Sequence, residues 1–138
     1  MLPDGFTRFP WYRRWFGRRS ERWAAKFLRR SGFWIIGQNI QDTLGEIDLL
    51  AIDGGCVVIV EVRSSESRSL DDLARTVNLE KQRRLTDATV RFVKRRKLWN
   101  VPVRFDVLAV RWPPESREPE VLHLRHAFQA VGRFQLHS

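Results

Sequence analysis

The chain has 138 residues, 43% hydrophobic and 30% charged, a composition that builds one globular domain around its own core and excludes global disorder. Its 25 Lys and Arg against 16 Asp and Glu leave a formal net charge of +9, an excess that points to a polyanionic partner, nucleic acid first. The single cysteine, Cys56, excludes an internal disulfide, and the longest apolar stretch, Cys56 to Val60, is too short to cross a bilayer.

In chain order, residues 1–16 are expected to form a basic, aromatic N-terminal arm, with Phe9, Trp11, Tyr12, Trp15 and Phe16 interleaved with Arg8, Arg13 and Arg14. Such an arm suits base stacking, a membrane-surface or scaffold role, or packing on the domain. It lacks the apolar core of a secretory signal, so the expected compartment is the cytoplasm. The domain proper is expected over 17–130, with a C-terminal tail at 131–138. A helix starts with Ser20 as N-cap and carries the stripe Trp23, Ala24, Phe27 and Leu28 to a stop at Ser31-Gly32. Phe33 to Ile36 is a first strand, and Gln38 to Leu44 a polar loop. Glu46 to Ile52 and Cys56 to Arg63 are strands joined at Asp53-Gly54-Gly55, a hairpin signal. A helical stretch from Leu70 to Lys97, broken near Asn78, precedes strands at Val103 to Val110 and Val121 to Arg125. The order α-β-β-β-α-β-β predicts an α/β fold: a mixed sheet with helices covering it.

The hairpin carries the chemistry. With Gly54-Gly55 as the loop, Asp48 lies opposite Glu61 and Glu46 opposite Arg63, all on one face. Ile47, Leu49, Ala51, Val58, Val60 and Val62 line one side of the strands, and Leu50, Ile52, Val57 and Ile59 the other, as in central strands covered on both faces. Two facing carboxylates there repel and lose hydration. One solution is a hard divalent cation, Mg2+ or Mn2+, which takes one or two carboxylates and polarises a phosphoryl oxygen. The other is an ordinary Glu46–Arg63 cross-strand pair, with Asp48 neutralised by another cation. Lys81 falls on the stripe of Leu85, Ala88 and Phe92 and so faces the sheet, where it either reaches the acids or snorkels. Arg18, Arg19 and Arg22 of the first helix and Arg83, Arg84, Arg91 and Arg95 of the long helical stretch form the expected phosphate-binding surface. The three histidines lack metal-ligand spacing.

From Arg18 to Phe128 the chain resembles the bacterial YraN-like family, assigned to the restriction-endonuclease-like fold. The resemblance rests on Glu21 with Ala24, Ala25 and Leu28, on Asn39, on Gly45-Glu46-Ile47-Asp48-Leu49-Leu50 and on Val60-Glu61-Val62-Arg63. It continues through Val77, Lys81 with Arg84, Arg104-Phe105-Asp106-Val107, and His123 with Ala127-Phe128. It implies a three-layer PD-(D/E)xK arrangement of metal-dependent nucleases, akin to Holliday-junction-resolvase and tRNA-endonuclease-like domains. Asp48 and Glu61 would then be acidic ligands of Mg2+ or Mn2+, with the Val62 carbonyl and Glu21 as further ligands. The implied partner is nucleic acid, DNA ahead of RNA. Arg63 stands where the motif has lysine, and an arginine keeps its proton at any working pH. The same resemblance therefore accommodates a nuclease and a nuclease-like binding module that does not cut. The oligomeric state is left open, a homodimer included.

Overall fold

The computed structural model describes residues 10–132, with side chains from Phe16 onward. Its elements are α1 (Pro10–Arg30), β1 (Trp34–Asp42), β2 (Gly45–Asp53), β3 (Cys56–Ser65), α2 (Leu70–Arg75), α3 (Leu79–Arg96), β4 (Val103–Arg111) and β5 (Glu120–Phe128). The five strands form one sheet in chain order, antiparallel throughout except for the β3–β4 pair. A parallel join needs a long crossover, and α2 with α3 supplies it. This is the expected α/β order, with the helical stretch divided at the expected place. Asn78 caps α3, its side-chain oxygen accepting from Lys81 N at 2.9 Å.

The central strands are apolar on both faces because both are covered. On one face Ala24, Ala25 and Leu28 of α1 pack against Leu49, Ala51, Val58, Val60, Leu108 and Val110. On the other, Leu85, Ala88 and Val93 of α3 pack against Leu50, Val57, Ile59, Val103 and Phe105. The result is two helical layers with a sheet between them. No helix among the described residues is long and apolar enough to cross a membrane.

Four local expectations are corrected. Helix α1 begins at Pro10, a residue suited to a first helical turn. Ser20 is therefore no N-cap; it is fully buried in mid-helix, where its hydroxyl accepts a 2.8 Å hydrogen bond from Trp112 Nε1. The polar run from Gln38 belongs to β1, an edge strand that buries little, so its polarity marks solvent on one side rather than a loop. β5 extends on both sides of the expected Val121 to Arg125. Finally, Ile47 packs with the α3-side cluster while Leu49 packs with the α1 side. Strict alternation would place them together, so the pleat is interrupted at Asp48. Residues 1–9 of the expected arm and 133–138 of the tail lie outside the described residues. Pro10 to Phe16 forms the first turns of α1, and Phe16 packs against the α1-side core.

Candidate active site

The β2–β3 register is the one the hairpin arithmetic requires: Asp53 pairs with Cys56, and Leu49 with Val60. Gly54 takes φ +61° in the two-residue loop, a conformation in which a Cβ is strained. Pairing then stops. Beyond Val60, β3 continues alongside β4, with Glu61 beside Val107 and Arg63 beside Ala109, while β2 continues alongside β1, with Ile47 beside Ile40 and Glu46 beside Gln41. The sheet opens into a split, and Asp48 stands at its apex. Its Oδ2 accepts from the Val62 N–H at 2.9 Å, in place of the ladder bond that is missing there.

The split lets helices from opposite faces reach one site. From the α3 side, Lys81 Nζ lies 3.3 Å from Glu61 Oε2, and the Glu61 side chain is only 4% exposed. That oxygen is within ion-pair distance but accepts no well-aligned hydrogen bond. Burial, and then the adjacent Asp48 carboxyl, push the Glu61 carboxyl up to about 9 against the pull of Lys81 and Arg63. From the α1 side comes Glu21, pushed up to about 7 by burial and by the charges of Asp48 and Glu46. A hydrogen bond with Asn39 and the charge of Arg18 oppose that shift. Glu21 Oε2 is a second buried carboxylate oxygen without a hydrogen-bond partner.

Asn39 is a residue at the split for which the sequence suggested no role. It has φ +50°, a left-handed conformation that Asn tolerates better than most residues, and its register position lies across from Asp48. Gly45 is explained too. A Cβ there would sit 3.3 Å from the Arg84 backbone carbonyl, so glycine lets α3 lie close over the start of β2.

The expected residues do not all meet. Asp48 and Glu61 come together, joined by Lys81 and flanked by Glu21 and Glu46. The Glu46–Arg63 cross-strand pair does not form, because β2 and β3 have already parted. Arg63 instead extends beside β4 with its Nε buried and without a hydrogen-bond partner. Among the described residues no three His, Cys, Asp or Glu side chains converge closely enough to hold one ion. A hard divalent cation requires less than that, since it binds through one or two carboxylates and keeps its waters. Asp48 and Glu61, the latter with a buried oxygen that accepts no hydrogen bond, fit such an ion.

The basic residues divide in two. Arg84 pairs with Glu80, and Arg91 and Arg95 both hold Asp42, at 3.3 and 3.0 Å. Arg18, Arg22 and Arg83 are exposed and make no ion pair among the described residues. The Arg19 guanidinium lies 3.9 Å over the Trp112 ring. Away from the site, Asp106 is fully buried and satisfied, taking two hydrogen bonds from Arg104, one from the His126 N–H and one contact with His123 Nε2 at 2.8 Å. His123 and Asp106 are thus structural.

A model of the uncharacterised protein family UPF0102 matches residues 20–110, a span that contains every side chain of the split. The chain belongs to this family. A UPF0102 protein of Rhodopirellula baltica is 43% identical over 119 residues, covering 84% of this chain and 71% of the relative. UPF0102 proteins of Clostridium perfringens and Pseudomonas syringae are 33% and 38% identical, covering 86% and 75% of this chain and 97% and 85% of their own lengths. Membership agrees with the YraN-like resemblance carried by the Gly45 to Leu50 and Val60 to Arg63 runs, and both runs lie on the two sides of the split.

Proposed function

We propose that this UPF0102 member binds nucleic acid and hydrolyses a phosphodiester at the β2–β3 split, with Mg2+ or Mn2+ held by Asp48 and Glu61 and the Val62 carbonyl beside them. The observation that carries the reading is the pair of buried carboxyls, Asp48 and Glu61, meeting at the apex of the split with a lysine 3.3 Å away. A bound divalent cation would polarise a phosphoryl oxygen and make water a better nucleophile. Glu61 must be ionised to hold it, so the cation and the proton compete for one carboxyl. Lys81 supplies from α3 the ammonium that position 63 lacks. It lies against the Glu61 carboxyl when no cation is present and is positioned to orient a water or contact a phosphate when one is. Glu21, with its bare oxygen, receives a proton near neutral pH, and Asn39 fixes its orientation.

Arg63 favours a second reading, a nuclease-like module that binds without cutting, because its guanidinium cannot take a proton from water. One assay separates the two: cleavage of plasmid, four-way junction and single-stranded substrates with Mg2+ or Mn2+, by wild type, Asp48→Ala, Lys81→Ala and Arg63→Lys. On the nuclease reading wild type cuts, Asp48→Ala abolishes cutting and Lys81→Ala lowers it at least tenfold. Cleavage surviving Asp48→Ala overturns the site. Cleavage seen only with Arg63→Lys establishes the binding module instead.

A further inference from the structure

Three cations of α1 bear on substrate. Arg22, Lys26 and Arg29 are exposed and make no ion pair or hydrogen bond with any described residue; on α3, Arg84, Arg91 and Arg95 are tied to acids, while Arg83, Lys94 and Arg96 are not. The three α1 cations, with Arg19, line an open groove of about 530 Å3 in which Trp23 and Trp112 also take part and, among the described residues, no acidic side chain does.

Both aromatics are held in place. Trp112 donates through Nε1 to Ser20 Oγ and through its backbone N–H to Ser65 O, each at 2.8 Å, which fixes it between α1 and the end of β3. Trp23 stacks on Phe27 with centroids 5.5 Å apart and meets Trp112 edge-on. Ser20 directly precedes Glu21, and Ser65 ends the strand that carries Glu61, so Trp112 is tied to two of the elements that carry acids of the split. Arg19 to Arg29 runs about 15 Å along the helix, the axial rise of about four nucleotides of one strand.

We infer that this groove is a track for single-stranded nucleic acid, leading an unpaired segment from the α1 surface to the carboxylate split. The inference rests on the nucleic-acid reading above and adds strandedness and direction to it. Unpaired bases expose faces that aromatic side chains can stack on, and a duplex hides those faces; a cationic wall then follows the phosphates without reading sequence. Ser20 is central to the device. A small buried hydroxyl is what allows Trp112 to lie against α1, which explains a serine inside an apolar helix face.

The test uses the full chain in chelator, so that binding is read apart from cleavage. Fluorescence anisotropy of a labelled 12-residue oligothymidylate is followed across salt concentrations for wild type, for Arg22→Ala/Lys26→Ala/Arg29→Ala together, for Trp23→Leu and for Lys94→Ala/Arg96→Ala as the α3 control. Circular dichroism and urea midpoints verify that each variant is folded. The triple variant is expected to lose at least tenfold in affinity, with the slope of log K against log salt shallower by about 2, three phosphate contacts at about 0.7 each. Trp23→Leu is expected to lose about tenfold with its slope unchanged, and the α3 control to bind as wild type does. Wild-type affinity and slope in the triple variant overturn the track. So do tighter binding of a 12-base-pair duplex than of the strand, and uptake by anionic phospholipid vesicles without oligonucleotide binding. If binding through α1 persists while no substrate is cleaved, hydrolysis is lost and the track remains; if cleavage persists without it, the reverse holds.

Discussion

Glu61→Gln tests the electrostatics of the split directly. The wild-type carboxyl is pushed up from an ordinary 4.5 to about 9 by burial and by Asp48, so near neutral pH it retains a proton in the folded protein that it has released in the unfolded chain. The folded state then binds more protons, and stability falls as pH rises above 4.5. Each pH unit across that window is worth at most about 1.4 kcal/mol. Between pH 4.5 and 7 the accumulated penalty reaches an upper bound of about 3 kcal/mol, a figure that already contains the opposing pull of Lys81 and Arg63. Glutamine keeps the shape without the titration. In EDTA, Glu61→Gln is therefore expected to match wild type near pH 4.5 and to become progressively more stable through pH 8, as read by urea unfolding followed through tryptophan fluorescence. Excess Mg2+ is expected to shrink the variant's advantage, since a ligand at ten times its Kd adds about 1.4 kcal/mol to the protein that binds it. A difference that stays constant from pH 5 to 8 would show that Glu61 is ionised in the folded protein throughout, and would refute the account of a proton-holding, cation-exchanging carboxyl.

Other substitutions probe the frame around the site. Gly45→Ala is expected to cost about 1–3 kcal/mol in thermal unfolding, because the new methyl must displace the α3 backbone at Arg84. Asp106→Asn removes the bidentate partner of Arg104, which keeps its 3.0 Å ion pair with Asp53, and is expected to cost about 1–3 kcal/mol. The Asp106 carboxyl lies below its ordinary 3.8, because hydrogen bonds from His123 and Arg104 outweigh the upward push of burial. Its stabilisation is thus present above that ordinary value and disappears as pH falls through the lower folded value, an acid limb that Asp106→Asn is expected to flatten. Asn78→Ala removes the cap that separates α3 from α2 and is expected to cost about 1 kcal/mol by the same measurement.

The element order, and the register on which the site depends, were legible in the chain's local pattern. Two glycines after Asp53 fix a two-residue turn, and that turn sets Leu49 against Val60 and brings Asp48 and Glu61 to the same level, because pairing in a hairpin propagates locally from its loop. The Lys81 stripe was legible for a similar reason: helical periodicity alone turns the lysine toward the sheet. Other features depended on contacts between distant segments. That β2 and β3 part after Leu49 and Val60 follows from each finding another neighbour, β1 on one side and β4 on the other. No local pattern announces such a choice, and it undid the Glu46–Arg63 pair while admitting Glu21 and Asn39. Ser20 looked like a helix cap because the Trp112 that buries it lies 92 residues away in the chain. Arg91 and Arg95 looked like phosphate ligands because the Asp42 they hold stands in a strand whose polarity imitates a loop. Asp48 and Glu61 were thus placed on one level by their own hairpin, but only the opening of the sheet made them a site that both helical layers can reach.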